Sequence, residues 1–133
     1  MSYKNKKKTS KKFNFIDTGI QRIDSVGRQL EKFFEQTNMG SFETRHRYFK
    51  ACERFIKEIV PHFRLQKLAN VQDKRLEYYA NLKLAEGNSS KYVRTELSAI
   101  RFMHHITPNT RHELEDSKTF NKRFDFKPSV SRN

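Results

Sequence analysis

The chain is poor in the residues that build covalent or catalytic frameworks. One cysteine in 133 residues excludes an intrachain disulfide framework and a zinc-finger spacing, and Cys52 falls in an apolar stripe where a small buried thiol is the expected role. No apolar run approaches the ~18 residues of a membrane span. The lysine-rich N-terminus has no apolar segment behind it, which argues against a signal peptide, so a soluble intracellular (cytoplasmic, bacterial or phage-encoded) protein without a membrane partner is expected. A Gly-rich phosphate loop, a Ser-His-Asp pattern and paired acids on an apolar face are all missing, so no small-molecule substrate and no cofactor are expected. His104, His105 and His112 are close in sequence, but adjacent histidines point about 100° apart on a helix, so no metal site is expected either. Strand alternation and internal repeats are absent as well, and the lysine run is the one low-complexity segment.

What is present is positive charge, a formal +13 unevenly spread. Lys4, Lys6, Lys7, Lys8, Lys11 and Lys12 fill the first twelve residues without an acid, and residues 118–133 set five basic side chains against Asp125 alone. Residues 13–117 therefore keep a net of only +3. The lysine run fits a flexible solubilising tail and a nucleic-acid arm equally, so charge placed on helix faces is the better signal.

Apolar residues recur at helical spacing in four segments, separated by glycine and proline stops. With twelve phenylalanines and five tyrosines they suffice for one all-α core. The first segment runs from about Gly19 to Gln36 with Asp17 or Thr18 as N-cap; its stripe is Ile20, Ile23, Gly27, Leu30 and Phe34, the glycine allowing close helix approach. The second starts near Ser41 and is expected to stop near Val60, because Pro61 disfavours a helical residue before it. Residues 61–69 then form a connector, with Phe63, Leu65 and Leu68 as core plugs. The third runs from after Asn70 to Gly87, and its widely distributed apolar residues make it the expected most enclosed helix. The fourth is capped by Ser89 or Ser90 and closed by Pro108. Residues 109–117 form at most one short polar helix, and 119–133 read as linker.

Two of these helices carry opposed faces. In the second, Phe42, Tyr48, Phe49, Cys52, Phe55, Ile56 and Ile59 form the apolar stripe, with His46, Arg47, Lys50, Arg54 and Lys57 opposite. In the fourth, Val93, Leu97, Ile100 and His104 face one way and Lys91, Arg94, Ser98, Arg101 and His105 the other. Glu53, Glu58 and Glu96 interrupt the cationic surfaces. A small bundle that grips nucleic acid follows from this pattern; the alternative is a helical protein-interaction module with incidental basic tails.

The order of motifs resembles a known family. Thr44-Arg45 followed by Tyr48, Phe49 and Phe55, then the Gly-x-Ser-Ser turn at Gly87 to Ser90 and the Leu-Ser-Ala-Ile-Arg run at Leu97 to Arg101, are similar to the SAM-like N-terminal core-binding domain of phage-type tyrosine recombinases (integrases). The likeness covers roughly residues 16–106, leaving 1–15 as a basic flexible arm and 107–133 as a linker toward a catalytic domain.

The resemblance implies a compact bundle of two crossed helical hairpins that closes with its catalytic domain around a recombination core site, beside neighbouring protomers on duplex DNA. It implies contacts from Arg47, Lys50, Arg54 and Lys57 on the second helix and from Lys91, Arg94 and Arg101 on the fourth, with Ser89, Ser90 and Tyr92 holding a phosphate at a helix N-terminus. No histidine here has arginine three residues later, as the family's catalytic His-x-x-Arg requires, and Tyr48, Tyr78 and Tyr79 lie in apolar patterns. The chain is therefore expected to be a non-catalytic DNA-binding piece, either an excised fragment or a naturally truncated relative.

Overall fold

A computed structural model describes residues 12–126; Lys4, Lys6, Lys7, Lys8 and Lys11 of the lysine run lie outside the described residues. Among the described residues the regular elements are all helical: α1 (Gln21–Gln36), α2 (Phe42–Phe63), α3 (Asp73–Ala85), α4 (Ser90–Ile106) and α5 (Ser117–Arg123), with a 3-10 turn at Leu68–Asn70. None of these helices is long and apolar enough to cross a membrane. The expected all-α bundle is therefore the fold.

Local chemistry sets most helix ends. The Ser41 hydroxyl accepts from the Thr44 amide at 3.1 Å and the Ser89 hydroxyl from the Tyr92 amide at 3.1 Å, each satisfying a free N–H of the first turn. Gly87 ends the third helix with φ of +97°, a left-handed conformation that glycine adopts without steric cost. The start of α1 departs from expectation, since neither Asp17 nor Thr18 caps it. Asp24, inside the first turn, instead reaches back to accept from the Thr18 amide at 2.8 Å and the Gly19 amide at 3.1 Å. Those bonds hold its carboxyl below the usual range.

Pro61 does not end α2. The helix runs through it to Phe63 and closes at Arg64 in the left-handed region. Proline forfeits one backbone hydrogen bond near the helix end, and the last turn is pinned from outside. His62 stacks on Tyr78 at 4.5 Å, Phe63 meets the Tyr78 ring edge-on at 5.0 Å, and Arg75 lies over Phe63 at 4.1 Å. Tertiary contact outweighs the local preference.

The core is built around α2, which packs against α1, α3 and α4. It is more enclosed than α3, contrary to expectation: α2 buries eight residues, whereas α3 buries only Leu76, Tyr79, Ala80 and Leu84. α2 and α4 run antiparallel, as Tyr48 beside Phe102, Cys52 donating to the Ala99 carbonyl at 3.3 Å and Arg54 against Glu96 show. Burial pushes the Cys52 thiol well above its ordinary pKa. Four stripe members sit at the margin: Ile20 and Phe42 are exposed, Tyr48 is half-buried, and so is His104, with Nε2 2.7 Å from the His112 carbonyl.

The packed core also extends past both ends of the expected 16–106. Phe13 and Phe15, assigned to a flexible arm, are 1% and 3% exposed. Phe15 lies on Gly27, where an added Cβ would come within 2.2 Å of its ring, so the glycine admits this ring rather than a neighbouring helix. At the other end, the short helix falls at Ser117–Arg123 rather than within 109–117, capped by Asp116 through the Thr119 amide at 2.7 Å. Its Phe120, expected in a linker, is fully buried. Aromatic side chains close to the bundle dock both segments for the same reason, removal of apolar surface from water.

Candidate nucleic-acid interface

The cations of α2 lie over buried carboxylates. Glu53, 5% exposed, receives Lys50 at 3.5 Å and Lys57 at 3.8 Å, and its Oε2 also accepts from the Ile16 amide at 3.0 Å. Glu96 of α4, 3% exposed, takes Arg54 through Nε at 3.2 Å and Nη2 at 2.6 Å, and accepts the Tyr79 hydroxyl at 2.9 Å. Glu53 and Glu96 therefore do not interrupt the outer surfaces; they sit beneath them. A buried carboxylate is tolerated only with such partners. The bidentate bond raises the Arg54 pKa further, and burial followed by the Glu96 charge raises that of Tyr79.

The Arg54–Glu96 pair ties α2 to α4, bringing the middle of the α2 cationic face beside the N-terminal half of α4. Arg47 is exposed, and its Nη2 donates to the Thr44 hydroxyl at 3.4 Å. Lys91 is exposed too. The Ser89 hydroxyl is already engaged as the helix cap, Ser90 is half-buried in the first turn, and Tyr92 is 37% exposed.

Arg94 and Arg101 are placed differently. The Arg94 guanidinium lies 5.4 Å from the Phe126 ring centroid. Arg101 is half-buried: its Nε donates to the Glu115 carbonyl at 3.1 Å, its guanidinium sits 5.0 Å from the Phe120 ring, and its buried Nη2 has no hydrogen-bond partner among the described residues. Burial lowers its pKa, opposed by Asp73, Asp116 and Glu115. The structure thus places Lys50, Arg54 and Lys57 along one face of α2 beside the N-terminal half of α4, with Arg47 nearer the start of α2, and turns Arg94 and Arg101 toward the C-terminal segment. Lys12 is exposed at the edge of the described chain, its amide donating to Glu35 at 2.7 Å.

The buried carboxylates are the part of this site that the helical pattern hides. Glu96 precedes the buried Leu97 and Glu53 follows the buried Cys52, so both fall on the inner side of their helices. That position, acid beside core residue with a cation one turn away, was the available signal.

No curated protein and no solved structure matches the chain. A family model described as phage integrase, N-terminal, matches residues 23–112, which span α1 to α4 and the loop that follows. The match covers an integrase's N-terminal domain and not its catalytic one. With the all-helical bundle already in place, the chain belongs to the phage integrase N-terminal family, whose role lies in site-specific DNA recombination.

Proposed function

We propose that this domain grips duplex DNA at a recombination core site through the joined faces of α2 and α4, supplying binding while a separate catalytic domain supplies the chemistry. The observation that carries this reading is the Arg54–Glu96 pair, which holds the cationic face of α2 against the N-terminal half of α4. Lys50 and Lys57 contact Glu53 only at 3.5 and 3.8 Å, so each ammonium keeps donors for phosphate oxygens. Arg54 spends two nitrogens on Glu96 and keeps Nη1. Arg47 and Lys91 extend the same surface, and the first turn of α4, where the Tyr92 amide is taken by the Ser89 hydroxyl, offers the Ser90 and Lys91 amides to one further phosphate. Arg94 and Arg101 join this set only when the C-terminal segment moves away. The lysine run, Lys12 included, acts as a backbone-reading arm, and the catalytic domain and neighbouring protomers are the protein partners.

Fluorescence anisotropy with a short duplex at several salt concentrations tests this. Five neutralised phosphates give a slope of log K against log salt of about −4.5 through counterion release. Arg47→Glu with Lys91→Glu is expected to weaken binding at low salt at least about tenfold while leaving melting nearly unchanged, since both side chains are exposed. Absence of binding at low salt would overturn the DNA reading and favour the protein-interaction module.

A further inference from the structure

A second positive surface, which contributes nothing to the α2/α4 face, surrounds the connector between α2 and α3. Three clefts meet there. One of roughly 700 Å³ against α1 is lined by Arg22 and Lys67 with the amides of Gln21, Gln29 and Gln66. The next, roughly 390 Å³, holds Lys32, Lys67 and Arg111 beside Asn70. The last, roughly 250 Å³, holds Arg64, Arg75 and His112. Shared walls at Gln29, Gln66, Lys67 and Asn70 make them one continuous surface. Among the described residues, no aspartate or glutamate lines any of the three.

The contrast with α2 is in the pairing. Lys50, Arg54 and Lys57 each have a buried carboxylate beneath them, whereas Arg22, Lys32, Arg64, Lys67 and Arg111 form no ion pair with a described residue. The acids of α1 are segregated from them, because Asp24, Glu31 and Glu35 are taken up by backbone amides of residues 12–19. Uncompensated cations around low-dielectric walls concentrate positive potential.

This surface is also held in place. The Gln29 amide donates to the Gln66 carbonyl at 2.9 Å and accepts from the Leu68 amide at 3.0 Å, while the Arg111 amide donates to the Ala69 carbonyl at 2.8 Å. Leu68 is fully buried. Separate cations along a continuous, amide-lined surface suit an extended polyanion better than one small anion, since each phosphodiester needs its own donors and amides supply the rest.

We propose that the connector surface is a second contact for the phosphate backbone of duplex DNA, engaging a stretch not held by α2 and α4. The proposal rests on the DNA reading above. The test compares Lys67→Glu with Arg111→Glu against a control of identical charge change, Lys118→Glu with Lys122→Glu on α5, all four residues being exposed. In anisotropy titrations the connector pair is expected to lower affinity about tenfold or more and to reduce the salt slope by about 2, two phosphate contacts being lost. The control is expected to lower affinity less than about threefold with its slope unchanged. The neutral pair Lys67→Ala with Arg111→Ala is expected to lose the same slope and guards against misfolding by charge reversal. Equal losses from connector and control pairs, or an unchanged slope in the connector variants, overturn the second contact while leaving the α2/α4 reading intact. A wild-type chain that binds no duplex overturns both. Binding of a polyglutamate peptide that the connector variants abolish, with duplex slopes unaltered, would assign the surface to an acidic protein segment and overturn the proposal.

Discussion

Both ends of the described chain strap across the bundle, and they are fastened by different chemistry. Residues 12–16 lend their backbone amides to side-chain carboxylates: Lys12 and Phe13 to Glu35, Phe15 to Glu31 and Ile16 to Glu53. The C-terminal strap is fastened mainly by arginines, with Arg101 on the Glu115 carbonyl and Arg123 on Glu77 and Glu115, and by the Glu115 amide on Asp73. The first strap buries both its phenylalanines in the core, whereas the second buries Phe120 and leaves Phe124 and Phe126 half-exposed. The N-terminal strap also takes one oxygen of the carboxylate that Lys50 and Lys57 share, while the C-terminal strap lies over Arg94 and Arg101. One strap supports the α2 half of the proposed interface from beneath; the other covers cations of the α4 half.

The largest effect that would sharpen this difference is on stability. Phe13 sits between Phe34 and Phe49 at ring distances of 5.5 and 5.4 Å and is 1% exposed. Phe13→Ala is expected to cost about 3–5 kcal/mol in denaturant unfolding, the range for emptying a buried phenylalanine site. A cost under about 1 kcal/mol would mean that the strap detaches freely, and the two ends would then be alike.

The two straps also mark where the sequence was legible and where it was not. Helices α1 to α4 could be read because their signals are local: apolar residues three and four apart, Ser41 and Ser89 as caps, Gly87 as a stop. The straps could not, because an extended segment has no helical period and its partners lie far along the chain, as with Ile16 and Glu53, 37 residues apart. Pro61 misled for the same reason, its helix being held by Tyr78 on another element. In the candidate site, periodicity could show which cations fall on the outer sides of α2 and α4, as the exposed Arg47, Arg54, Lys57, Lys91 and Arg94 do. Which cations were already occupied was not legible, since Arg54 meets Glu96 across 42 residues and Arg101 meets Glu115 only once the C-terminal strap has docked.

A smaller, functional effect is expected at the C-terminal strap. Phe126→Ala removes the ring beside Arg94, a contact worth about 0.5–1 kcal/mol at an exposed site. The ring's packing on Phe124 at 4.9 Å adds about 0.5–1.5 kcal/mol, so stability should fall by about 1–2.5 kcal/mol. Duplex affinity at low salt should rise and the salt slope steepen by about 1 as Arg94 becomes available to a phosphate. Unchanged binding would show that Arg94 lies outside the interface whether covered or not, and the contrast between a supporting strap and a covering one would fail on the α4 side.

The smallest effect expected is on acid response. Asp116 has its carboxyl held below its ordinary range by the Thr119 amide, and Glu115 by its hydrogen bond from Arg123. A carboxylate whose folded pKa is depressed contributes its stabilisation fully above the unfolded value, here 3.8 for Asp116 and 4.5 for Glu115, and loses it as pH falls through the depressed folded value. Asp116 is exposed and Glu115 half-buried at the surface, so the loss should be local: amide exchange at Thr119 should accelerate as pH falls below about 3.8, relative to its intrinsic rate, while the core amides of α2 stay protected. At the N-terminal strap Asp24 has the same sign, but the buried Phe13 and Phe15 rings anchor that segment without Asp24, so Phe15 should keep its protection when Thr18 begins to exchange. Asp116→Asn should make Thr119 exchange nearly independent of pH in this window once the intrinsic rate is divided out. If the Phe15 and Thr119 amides instead open together, the two ends act as one cooperative unit, and the C-terminal strap cannot move off Arg94 and Arg101 without unfolding the N-terminal one.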